Sequence, residues 1–170
     1  MKKYRDYAII TLDDNTICMN DLIESLYYSY LKNPNCIHAI CVHKIHVKNN
    51  KVLLYYNWFK EYTFEFNPSF DLFAISGRGT LFPPNILNMS DENLNEIYKC
   101  INNVDVYLKY ISRKRNIKIV WVPNKISFNL NQLNENNTKI LRLYKNDIIN
   151  NTYYIQKNEV LINVLASIFF

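Results

Sequence analysis

Both glycines of this 170-residue chain fall within three positions of each other, in Gly77-Arg-Gly79. In a chain so poor in glycine, each of these positions calls for backbone freedom or for the close approach of another group. A core-like run, Phe70-Asp-Leu-Phe-Ala-Ile-Ser76, leads into them, and the Pro83-Pro84 pair stiffens the exit. The stretch Gly77-Arg-Gly-Thr-Leu-Phe-Pro-Pro84 therefore reads as a rigid loop with bare backbone and one cation, Arg78. It is either a ligand-facing element or a plain corner, and its residues alone do not choose between them.

A second constraint lies near the start. Tyr7-Ala-Ile-Ile-Thr-Leu-Asp-Asp-Asn15 is apolar or β-branched through Thr11 and then stops on two carboxylates and an amide. A buried strand ending at the carboxyl edge of a sheet has this pattern, and ligands of α/β proteins bind at that edge. Asp13, Asp14 and Asn15 can hold a hard divalent cation through oxygen, and through it phosphate. They can equally form a turn that caps the following helix.

Composition limits the alternatives. Apolar residues at 49% and charged residues at 21% describe a globular chain, and the length suits one domain with a real core. The net charge of +5 is spread along the chain, densest at Arg113-Lys114-Arg115 on an expected helix end, so nucleic-acid binding is not expected. Cys18, Cys36, Cys41 and Cys100 form no C-x-x-C pair and no zinc pattern with His38, His43 or His46. The cysteines read as buried small hydrophobes in a reducing cytoplasmic setting, and the histidines as surface polar residues in preference to metal ligands. The polar opening Met1–Asp6 has no signal-peptide character. The apolar end, Val160–Phe170, is too short to span a bilayer and is expected to dock on the domain in preference to lying on a membrane surface.

Taken in order, Asn20–Asn33 repeats Leu22, Ile23, Leu26, Tyr27, Tyr30 and Leu31 at helical spacing, with Pro34 beyond its end. Cys36–His43 reads as a buried strand, giving a β-α-β unit with parallel strands. His43–Tyr55 reads as a hairpin turning at Asn49-Asn50. Tyr55–Tyr62 is an aromatic cluster, either a packed loop or short helix, or a stacking wall for a flat-faced ligand that would include Trp58. A helix opens on Ser90, and a second one, Val104–Arg113, starts with Asp105 as a cap or as a carboxylate in the crevice. Ile117–Val122 reads as a strand stopped by Pro123, and Gln132 to about Asn150 as loosely helical.

Several motifs then follow one another in a recognisable order: Ile9-Ile-Thr-Leu-Asp-Asp-Asn15, Asn33-Pro-Asn-Cys-Ile-His-Ala-Ile40, His43-Lys-Ile45, Tyr56-Asn-Trp58, Gly77–Pro84, Asn103-Val-Asp-Val-Tyr-Leu-Lys109, Ile119-Val-Trp-Val-Pro-Asn124 and Asn146-Asp147. Together they resemble the second half of a GT-A glycosyltransferase of the family-2-like type, as found in bacterial polysaccharide and lipopolysaccharide biosynthesis. The resemblance runs from about Ala8 to Asp147. It implies a partial GT-A, Rossmann-like mixed α/β sheet with flanking helices over residues 1–150, lacking the N-terminal nucleotide-binding half, and residues 151–170 as a docked apolar segment.

The resemblance also implies a chemistry. The donor would be a nucleotide diphosphosugar and the acceptor a glycan or a lipid-linked sugar. Asp13, Asp14 and Asn15 would hold donor and Mg2+ or Mn2+ as a DxD-type motif, in which Asn15 stands where the family has a final Asp. Asp105 would be the general base, with Val104 where an acid commonly precedes it. Gly77, Arg78, Gly79 and Trp58 would line the acceptor and diphosphate side. A separate N-terminal half or a homo-oligomer would complete the sheet, and a cytoplasmic protein at the inner face of a membrane fits such acceptors. A non-catalytic GT-A-like remnant or binding module is the alternative.

Overall fold

The computed structural model describes residues 4–14, 16, 19–59, 62, 66–86 and 104–123. The expected helix opening on Ser90, the segment 132–150, the apolar end, Asn15, Cys18, Cys100 and Asn146-Asp147 lie outside these residues. The described part is mixed α/β. A four-stranded sheet has the order β1-β7-β2-β8, where β1 is Ile9–Leu12, β2 Ile37–Ala39, β7 Arg78–Phe82 and β8 Ile119–Trp121. Strand β7 is antiparallel to both β1 and β2, whereas β2 and β8 are parallel.

Helix α1 (Leu22–Lys32) joins β1 to β2 and buries Leu22 and Leu26 on the sheet against Leu81 and Val122. Strands β1 and β2 run in the same direction, as the β-α-β pattern requires, but β7 is inserted between them. Among the described residues strand β1 is consequently an edge strand, half-buried where full burial was expected.

The expected strand Cys36–His43 divides at Ile40-Cys41. Its first part is β2, and its second, β3 (Val42–Lys44), pairs with β6 (Leu72–Ala74) in a separate antiparallel ladder. Each half mixes apolar residues with a buried histidine, so hydropathy alone could not show the break between sheets. The hairpin is β4 (Val47–Lys48) and β5 (Lys51–Val52), and Asn49 and Asn50 sit at φ 52° and 56° in the turn between them. Two successive left-handed residues match the twist of flanking strands, and asparagine tolerates them best among residues other than glycine.

The aromatic cluster is a packed element. Tyr55–Asn57 forms one 3-10 turn, and Tyr55, Trp58 and Phe73 pack edge to face in the main core. Helix α2 (Val104–Lys114) lies against β6, and its chain returns through β8, where Ser69 and Ile119 exchange two backbone hydrogen bonds and tie the two sheets together. Among the described residues no helix is long and apolar enough to cross a membrane.

The histidines correct the sequence reading. His38 and His43 are buried, and His46 is half-buried. His38 bridges the Ser29 hydroxyl through Nδ1 at 2.8 Å and the Asn33 carbonyl through Nε2 at 3.0 Å. His43 Nδ1 lies 2.7 Å from the Tyr55 hydroxyl. A polar ring can replace an apolar one in a core when both nitrogens find partners. Cys36 and Cys41 are half-buried, less enclosed than expected.

Candidate functional site

The Gly77–Pro84 segment is not a loop. Its first residue belongs to a turn closed by the Arg78 N–H donating to the Ile75 carbonyl at 3.1 Å, its last, Pro84, opens another, and Arg78–Phe82 between them is the interior strand β7. The two glycines serve two separate ends. Gly79 takes φ +93° and is the extra residue of a β-bulge, since Thr11 faces Thr80 while Leu12 faces Arg78. A Cβ at Gly79 would also press on Leu22 Cδ1 at 3.0 Å and Ile40 Cγ1 at 3.1 Å. Gly77 is required by close approach, because a Cβ there would fall inside the Asp13 carboxylate.

That approach is built by hydrogen bonds. The Asp13 N–H donates to the Gly77 carbonyl at 2.8 Å, and the Thr16 hydroxyl donates to the same oxygen at 2.9 Å. The Thr11 hydroxyl donates to the Ser76 carbonyl at 2.8 Å. The acidic connection after β1 is thus fastened onto the turn after β6, although about 65 residues separate them. Residues with β-branched hydroxyls at 11 and 16 suit this role, since a stiff χ1 aims the oxygen at a neighbouring carbonyl.

Asp105 reaches the same turn from the first residues of α2. Its Oδ1 accepts from the Ser76 N–H at 2.9 Å and from the Ser76 hydroxyl at 2.5 Å. The residue keeps some exposed surface, but its carboxylate is packed away from bulk water. That desolvation pushes its pKa up; the two Ser76 bonds oppose the rise, and the negative charge of nearby Asp13 adds to it. Two carboxylates from distant parts of the sequence therefore converge on the Ser76-Gly77 peptide.

The other candidates are placed as follows. Asp14 is exposed in the turn beside Asp13. Arg78 is half-buried, with Nη1 3.8 Å from the Cys41 sulfur. Trp58 is the correction among the acceptor-side residues: it is 7% exposed, donates through Nε1 to the Leu53 carbonyl at 2.7 Å, and presents no open face for stacking.

Among the described residues no three His, Cys, Asp or Glu side chains form a metal cluster. Asp13 with Asp105 falls short of a self-sufficient cage. Of the expected metal set, Asp13 and Asp14 are the carboxylates among the described residues, and Mg2+ held by only one or two carboxylates takes its remaining ligands from water and substrate phosphate.

Sequence reasoning passed over Ser76, Thr11 and Thr16, which fasten the site. The available signal was position: each is a hydroxyl residue within two places of a strand end or of a residue already singled out. No family model, curated protein or solved structure matches this chain.

Proposed function

We propose that the described region is the acceptor-side half of a metal-dependent, GT-A-like glycosyltransferase, moving a sugar from a nucleotide diphosphosugar to a glycan or lipid-linked acceptor. The observation that supports this reading is the convergence of Asp13 and Asp105 on the Ser76-Gly77 turn. Asp105 takes the proton from the acceptor hydroxyl as that oxygen attacks the anomeric carbon. A carboxylate whose pKa is raised by desolvation is a stronger base than one in water, and Ser76 fixes its orientation through Oδ1. Asp13, held against Gly77, faces the donor side. Mg2+ or Mn2+, when bound, supplies neutralisation of charge on the leaving diphosphate.

The experiment is release of nucleoside diphosphate from a panel of nucleotide diphosphosugars with Mn2+ present. Turnover abolished by chelation, by Asp13→Ala and by Asp105→Asn is the expected result. A chain that binds neither nucleotide sugar nor Mn2+ overturns the reading. Binding without turnover would favour a non-catalytic module, for which one observation speaks: the Asp105–Ser76 bonds are also what a purely structural fastener at a helix start would make.

A further inference from the structure

Helix α2 buries a lysine that the chemistry above does not use. Lys109 is 2% exposed, and its Nζ donates to the carbonyls of Phe70 at 2.5 Å and Leu72 at 2.7 Å. We propose that Lys109 is a positioning residue for Asp105: its ammonium sets where α2 lies along β6, and thereby whether the Asp105 carboxylate meets Ser76. The proposal rests on the reading above only in giving Asp105 a proton to remove.

The geometry begins with the two edges of β6. On the β3 side, the Asp71 carbonyl accepts from Ile45 N–H and the Ile75 N–H donates to the Cys41 carbonyl. Groups of the alternate residues point to the opposite edge. There, the carbonyls of Phe70 and Leu72 meet Lys109, and the Ser76 N–H meets Asp105. No strand pairs with this edge of β6 among the described residues. Side chains of α2 do what a neighbouring strand would do, a cation supplying donors and a carboxylate supplying the acceptor.

Spacing explains the residue types. Asp105 and Lys109 are one helical turn apart on one face, about 6 Å along the axis, whereas Leu72 and Ser76 span about 13 Å if extended. A short side chain at one end and a long one at the other absorb the difference. Methionine would fill much the same volume without burying a charge, so the ammonium's two carbonyl bonds are what distinguishes lysine here. Burial pulls the Lys109 pKa down to about 7, with Arg113 lowering it and Asp71 raising it.

The test uses amide exchange and carboxyl titration by NMR, neither of which needs a sugar donor. In Lys109→Met, Ser76 amide exchange should rise by about ten-fold or more as the local bond opens. The Asp105 titration midpoint should move as well, since the Ser76 bonds that hold it down are lost, and Lys109→Arg should restore part of both. A folded Lys109→Met with Ser76 exchange and Asp105 titration unchanged overturns the proposal. If that variant does not fold, the wild type decides. Through about pH 7 the Leu72 carbonyl shift should inflect together with the Ser76 amide, and an inflection at Leu72 with Ser76 flat overturns the proposal. Absence of sugar transfer in the wild type would refute the reading of the site without touching these measurements.

Discussion

Helices α1 and α2 have eleven residues each and use their polar residues in opposite ways. Helix α1 turns Leu22 and Leu26 to the sheet and leaves Ile23, Tyr27 and Leu31 exposed at 63%, 52% and 55%. Helix α2 turns Lys109, Ser112 and the Asp105 carboxylate inward alongside Val106 and Ile111. Apolar contact is non-directional and tolerates small slides and rotations. Hydrogen bonds to fixed backbone groups do not. Helix α1 has its directional tie at its C-terminal end, where Ser29 and the Asn33 carbonyl meet the His38 ring. The helix that carries the candidate base is instead held along its length by bonds from Asp105, Lys109 and Ser112, at the cost of burying ionisable groups.

The comparison can be broken first on the α1 side. Leu26→Ala removes a fully buried side chain whose neighbours are apolar, and should cost about 2–5 kcal/mol in the urea midpoint analysis. Gly79→Ala presses on the same helix through Leu22 and adopts a left-handed backbone unsuited to a side chain, so a loss of about 1–3 kcal/mol is expected from the same measurement.

On the α2 side the changes should appear as pH dependence. The folded Lys109 pKa of about 7 lies below its ordinary 10.5, so the unfolded chain binds more protons between them and stability rises with pH across that window. Lys109→Met should flatten this rise. Asp105 has the opposite sign: its raised pKa means stability contributed by this group falls as pH climbs from 3.8 through the folded value, and Asp105→Asn should remove that fall. Unfolding free energies measured from pH 3 to 10 check both. The smallest effect is Tyr27→Lys on the exposed flank of α1, within about 0.5 kcal/mol by thermal denaturation.

Much of the framework was legible because local pattern and tertiary role agreed. The helix at Leu22–Lys32, the Asn49-Asn50 hairpin and the strand stopped by Pro123 all follow from periodicity and turn chemistry. The reading failed where they diverged. Asp105, Lys109 and Ser112 form a polar stripe that periodicity assigns to solvent, yet Ser112 donates to the Ile117 carbonyl at 2.7 Å inside the protein. Gly77–Pro84 carries loop residues but becomes an interior strand, because glycine there meets a carboxylate and a bulge. At the site, Asp13 and Asp105 could be singled out one by one. What brings them together is Ser76, whose serine hydroxyl gives no local pattern to read.

The edge position of β1 has a consequence for how the molecule behaves among its own copies. An open strand edge templates further strands, and short length and flanking charge are the usual defences. Here the strand is four residues long, with Asp6 before it and Asp13 and Asp14 after it, while Tyr7 and Leu12 stand exposed beside them. Asp13 and Asp14, whatever their part in the candidate site, stand as gatekeepers against aggregation at the end of this strand.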